Sequence, residues 1–144
     1  MLLALTDPAT SVTRAVSLLE ELQVGFAAHA VAQGAAMRDV LGTTVSPRAL
    51  GMIVRTILDE HRSQARALTA LALAGPGTST WTTRALELRV TLLDHATREE
   101  FMRTSLIDHV SAESRRALAS RYATERLRRL VNVAHSGVPA SSLN

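Results

Sequence analysis

Two side chains in the stretch LLDHATREEFM (Leu92 to Met102) have types and spacing that could do chemistry together. His95 and Glu99 stand four residues apart, so on a helix they share one face. The neighbours on that face, Leu88, Leu92 and Met102, are apolar. The same 3-4 spacing puts His29, with Gln33 one turn later, on an otherwise apolar stripe, and His61 on another. A neutral imidazole offers one donor and one acceptor, and clustered imidazoles cannot all ionise cheaply. A divalent cation resolves that conflict by taking a lone pair from each ring. The chain has no cysteine, which removes disulfides and thiolate-rich zinc or iron–sulfur sites. Imidazole and carboxylate ligands suit iron, manganese or zinc. A single inward histidine is commonly just a hydrogen-bonded core residue. Three at one depth, beside a carboxylate, make a stronger case for a site.

The elements that must position them are helices. Apolar residues make up 47% of the 144, but aromatics only 3%, so the core is built from Ala, Leu and Val. Ala and Leu favour helix over strand. Punctuation then predicts four helices: A (8–41), B (47–74), C (79–110) and D (112–135). Asp7-Pro8 and Ser46-Pro47 read as N-caps followed by proline at the first helical position. Gly42-Thr43-Thr44 and Gly75-Pro76-Gly77 end A and B, and Ser111 caps D. Residues 1–136 form one domain on this reading, and 137–144 a flexible tail. The inward stripes are Ala15, Leu19, Leu22, Phe26, His29, Gln33, Ala36 and Val40 on A; Leu50, Val54, Ile57, His61, Ala65, Leu68 and Ala72 on B; and Ala85, Leu88, Leu92, His95, Glu99, Met102 and Leu106 on C.

Short connections make consecutive helices antiparallel neighbours. His29 lies 12 residues before the end of A and His61 14 after the start of B. His61 lies 13 before the end of B and His95 16 after the start of C. At about 1.5 Å per residue, the three imidazoles differ in depth by only about 3 to 4.5 Å. They occupy one layer.

Other candidates fit worse. Ser111 breaks the helix between His109 and Glu113, His135 sits at the end of D, and Glu20 and Glu21 fall off the stripe of A. Helix D carries Arg115, Arg116, Arg121, Arg126, Arg128 and Arg129 against Glu113 and Glu125. Without interleaved aromatics or a helix-turn-helix signature this reads as a charged outer face, and nucleic acid is not the expected partner. No Ser/His/Asp order, phosphate loop or glycine fingerprint stands out. The opening MLLALTDP lacks the basic region of a signal peptide, and no apolar run approaches ~20 residues, so a membrane span is not expected and the cytoplasm is. All 16 basic residues are arginine and the formal net charge is only +3.

The pattern resembles the hemerythrin-like (HHE cation-binding) family. LLDHATREEFM is similar to that family's late His-x-x-x-Glu-Glu helix, ILDEHRSQARAL (Ile57 to Leu68) to its Glu-His helix, and GFAAHAVAQGAAM (Gly25 to Met37) to its earlier His-x-x-x-Glu helix. SAESRRALASRYATERLRRL (Ser111 to Leu130) resembles the helix that closes such domains. The resemblance implies an all-α, up-and-down four-helix bundle with a non-haem iron centre that binds or senses O2, peroxide or nitric oxide. It carries the metal-ligand role to His29, His61, His95 and Glu99, with Glu100 as an alternative carboxylate. Gln33 stands where the family has a bridging Glu, Ala65 where some members have a second His, and a histidine-bearing first helix has no counterpart before residue 8. The expected centre is therefore reduced: iron, or manganese or zinc, with Gln33 hydrogen-bonding a bound water or ligand. The alternative is a metal-free bundle that serves as a structural or interaction module. A bundle short of one helix is closed by helix D or by a second copy, which predicts a homodimer.

Overall fold

The computed structural model describes residues 2–7, 9–43, 46–107 and 110–136, without the side chains of 47, 49, 50, 105–107 and 136. Those residues form five helices and no strand: α1 (Leu2–Thr6), α2 (Val12–Leu41), α3 (Pro47–Ala74), α4 (Ser79–Ile107) and α5 (Ala112–Ser136). The long helices match the predicted set, and their boundaries follow local chemistry. Pro47 opens α3, where its missing N–H costs nothing. Gly75 (φ 71°) and Gly77 (φ 84°) take the left-handed conformation that ends α3 and redirects the chain. The Ser111 hydroxyl accepts the Ser114 N–H at 3.0 Å and caps α5.

The start of the first long helix differs from expectation. Helix α2 begins at Val12, with Ser11 as N-cap accepting the Arg14 N–H. Asp7 instead closes a turn, its carboxylate accepting the Ala9 N–H at 2.9 Å and its carbonyl the Thr10 N–H at 3.0 Å. Pro8 lies outside the described residues, as do His109 and the tail 137–144. The segment before the turn forms α1, which packs against α4 and α2. The indole N–H of buried Trp81 donates to the Leu5 carbonyl at 2.9 Å and fixes it there.

Helix α2 packs against both α3 and α5, and α3 packs against α4. Two apolar clusters result. One joins Leu5, Ala15, Leu18, Leu19, Leu68, Leu71, Trp81, Ala85 and Leu88. The other joins Met37, Leu41, Ile57 and Val110. Along α2, α3 and α4 the inward polar residues fall between the two clusters, and successive helices meet the clusters in alternating order. Ala72, expected inside, is exposed, and Leu71 beside it is fully buried. Leu50 and Leu106 lie outside the described side chains. No helix of the described residues is long and apolar enough to cross a membrane.

Candidate metal centre

His29, His61 and His95 converge in the layer between the two apolar clusters. Their ring centroids are 5.4 Å (His29–His61), 5.1 Å (His61–His95) and 5.9 Å (His29–His95) apart. One nitrogen from each ring lies within 4.8 Å of the others, which is within metal-binding distance. His61 and His95 are buried and His29 is partly so.

Glu99 reaches this group as its helical spacing requires. Its Oε1 lies 3.3 Å from His29 Nε2 and 3.5 Å from His95 Nε2, and it accepts a hydrogen bond from Gln33 Nε2. Glu100 does not join them. It is exposed, pairs with Arg103 at 2.9 Å and stays outside the imidazole cluster. A step of one residue turns a helical side chain by about 100°, which separates the two carboxylates.

Two further residues set the imidazole orientations. Glu60 Oε2 accepts from His95 Nδ1 at 2.7 Å, and its Oε1 pairs with Arg98 at 2.7 Å. The Tyr122 hydroxyl is hydrogen-bonded to His29 Nδ1 at 2.9 Å. With both Nδ1 atoms held from outside, Nε2 of His29 and of His95 face Glu99. This is the outer-shell pattern that orients imidazoles around metal ions. Sequence reasoning passed over both residues. Tyr122 falls on an α5 stripe with Leu118 and Glu125, all three less exposed than their neighbours, so 3-4 spacing could have found it. Glu60 sits immediately before His61 and reaches a different helix, which spacing alone does not signal.

The electrostatics follow from burial. Desolvation, reinforced by the neighbouring rings of His29 and His95, pushes His61 down from 6.5 to about 4. Contact with Glu99 raises His95 above its usual value, helped by Glu60 and opposed by burial. Burial works to raise Glu99, but His29 and His95 outweigh it and hold the carboxyl well below its ordinary range. At neutral pH the layer thus contains an anionic Glu99, a neutral His61 and a His95 biased toward the proton.

Six buried side-chain polar atoms lack a hydrogen-bond partner among the described residues: Gln33 Oε1, both His61 nitrogens, both Gln64 amide atoms and His95 Nε2. They belong to four residues, all in or one turn from the imidazole layer. Gln64, 1% exposed and three residues after His61, is a buried polar group the stripe analysis missed. A cavity of about 640 Å3 opens beside the layer between α2, α4 and α5. Its polar lining combines His29, Gln33, Glu99 and Tyr122 with Glu100, Arg103 and Arg115, and Met37, Leu41, Met102 and Leu118 form its apolar wall. A second cavity, about 600 Å3, lies between α2 and α3 and reaches His61.

No protein-family model, curated protein or solved structure matches the chain. What can be said of its chemistry rests on these side chains. His135 and the helix D arginines stay outside the layer. His135 is exposed and Arg121 pairs with Asp39 at 2.8 Å. Glu125, expected on the charged outer face, is buried beneath Arg128 and Arg129, which ion-pair with it at 2.6 and 3.1 Å.

Proposed function

We propose that this chain is a hemerythrin-like helical bundle, up-and-down in arrangement, that holds a divalent metal ion on His29, His61, His95 and Glu99. Iron is the first choice, with manganese and zinc as further options. The proposal rests chiefly on one observation: the buried polar atoms without partners are concentrated on Gln33, His61, Gln64 and His95. An unmade hydrogen bond in a core costs about 1–3 kcal/mol. Five of the six atoms, on Gln33, His61 and Gln64, remain when the 3.5 Å contact of His95 Nε2 with Glu99 is set aside, so the layer calls for a ligand. The donors also suit the ion, since three imidazoles able to be neutral and one carboxylate form a borderline nitrogen–oxygen set.

The chain's own residues have distinct tasks in this reading. Glu60 and Tyr122 hold the His95 and His29 rings with Nε2 inward. The Gln33 amide N–H holds the Glu99 carboxylate toward the imidazoles, and its carbonyl oxygen is left to accept from a bound water or an O–H of a small molecule. The 640 Å3 cavity gives a molecule the size of O2, peroxide or nitric oxide a route past Met37 and Met102. When bound, iron would supply a Lewis-acidic, redox-active centre suited to binding or sensing such molecules.

A second reading is a metal-free bundle with a structural role. The chain Tyr122–His29–Glu99–His95–Glu60 favours it, because it is continuous without an ion. That chain leaves His61 with neither ring nitrogen partnered, and the metal reading therefore stands first.

Anaerobic titration of chelator-treated protein with Fe(II), Mn(II) and Zn(II), followed by thermal unfolding, separates the two. Binding that reaches a hundredfold excess over Kd stabilises the native state by about 2.7 kcal/mol. A rise in melting temperature with at least one ion, reversed by chelator and lost in His61→Leu, is expected. No rise with any of the three would overturn the metal reading.

A further inference from the structure

Helix α4 is apolar on two opposite faces. Trp81, Ala85, Leu88 and His95 are buried against the rest of the chain. Leu86, Val90, Leu93 and Phe101 are 46%, 60%, 52% and 72% exposed, and successive steps of about 100° place them, with Thr97, on the reverse side. Spacings of four, three, four and four residues make this one continuous stripe. Large apolar side chains exposed in a row, as opposed to singly, mark an interaction surface.

The charges of α4 indicate what covers it. Arg84 pairs with Glu87, Arg98 with Glu60, and Arg103 with Glu100, while Glu99 faces the imidazoles. Among the described residues, the charged side chains of α4 without an ion-pair partner are Arg89 and Asp94. They flank the stripe on opposite sides, five residues apart. With Leu86 and Leu93 as d positions and Val90 and Thr97 as a positions, Arg89 is a g residue and Asp94 the e residue that follows. In a parallel pair of helices, g of one chain meets the following e of the other. A second copy of α4 laid parallel would therefore set Arg89 of each chain against Asp94 of the other. In an antiparallel copy e meets e and g meets g, so Arg89 would not meet Asp94.

We infer that the reverse face of α4 is a self-association surface, on which two copies of this chain pair through parallel α4 helices related by a two-fold axis. Leu86, Val90 and Leu93 form the seam, and the two Arg89–Asp94 pairs fix orientation. The inference does not depend on metal binding, because the imidazole layer lies on the other side of α4.

Sedimentation equilibrium on wild type and on Leu93→Glu, with circular dichroism to confirm unchanged helicity, tests the surface. Wild type is expected at twice the 15.5 kDa chain mass. Leu93→Glu, which changes an exposed side chain, is expected to raise the dimer Kd by at least about tenfold. The chain has no cysteine, so a Leu86→Cys variant tests orientation cleanly. In the parallel pair it forms an interchain disulfide under mild oxidation, whereas an antiparallel pair separates the two positions beyond bridging distance. A monomeric wild type at high micromolar concentration would overturn the inference. So would a dimer indifferent to Leu93→Glu, or a dimer in which Leu86→Cys does not cross-link.

Discussion

His61 offers a quantitative test of the polar layer that needs no metal. It is 5% exposed, has no hydrogen-bond partner on either nitrogen, and has its pKa lowered from 6.5 to about 4, chiefly by desolvation. The unfolded chain therefore binds a proton at His61 that the folded chain refuses between those two values. Stability from this residue is complete above pH 6.5 and is lost as pH falls through the window to about 4. At about 1.36 kcal/mol per pH unit the loss is roughly 3 kcal/mol. The perturbation is His61→Leu, which keeps the volume apolar and removes the titrating group. Urea denaturation of both proteins in chelator-containing buffer, at steps from pH 7.5 to 4, gives the difference directly. Other groups act in both proteins and largely cancel. His95, raised by Glu99 and Glu60, gives stability that is present below its unfolded value and lost as pH rises through its folded one. Glu99, lowered, loses its contribution only as pH falls below the ordinary carboxylate range. At pH 7, His61→Leu is expected to be neutral or stabilising by about 1–2 kcal/mol, because it deletes an unpaired buried polar group. By pH 4 its advantage should grow by roughly 3 kcal/mol. A difference that stays flat with pH, or a variant less stable than wild type at pH 7 in chelator, would refute the reasoning.

Other consequences follow from single contacts. Glu60→Gln and Tyr122→Phe each remove an outer partner of an imidazole, and competition titration with a chromogenic chelator should show metal affinity about 10- to 100-fold weaker in each. Trp81→Phe loses the indole N–H to the Leu5 carbonyl. It is expected to cost about 1–3 kcal/mol by denaturant titration, with faster amide exchange in α1 than in α2. Ser111→Ala removes the α5 cap and should lower stability by about 1 kcal/mol.

The parts of this structure that were legible in the sequence are those governed by local chemistry. Pro47, Gly75, Gly77 and Ser111 act within one turn of themselves, so α3, α4 and α5 begin or end close to where composition and punctuation put them. The imidazole layer was legible for a similar reason, since 3-4 spacing fixes a helix face whatever the tertiary context. Asp7-Pro8 misled because an Asp before a Pro serves a turn as readily as a cap. Contacts remote in sequence hold α1 where it is: Trp81 bonds to Leu5, 76 residues away, and Leu5 is buried in a cluster with residues of α2, α3 and α4. Glu60 was illegible as a partner of His95 because it reaches across to another helix, whereas Tyr122 lies on an α5 stripe that 3-4 spacing marks, with only its pairing to His29 hidden. Gln64 was passed over because a fully buried amide breaks the apolar rule that defines a stripe. The reverse face of α4 was hidden by its neighbour face, as a helix apolar on both sides has little net amphipathicity.

The most direct test of the central claim is an elemental count on protein expressed in metal-supplemented medium and purified without chelator. Wild type and His95→Ala should be analysed side by side for iron, manganese and zinc. Stoichiometric metal in wild type, lost in His95→Ala while helicity is retained, is the predicted result. Wild type with no stoichiometric transition metal, or His95→Ala loaded to the same level, would contradict the proposed centre.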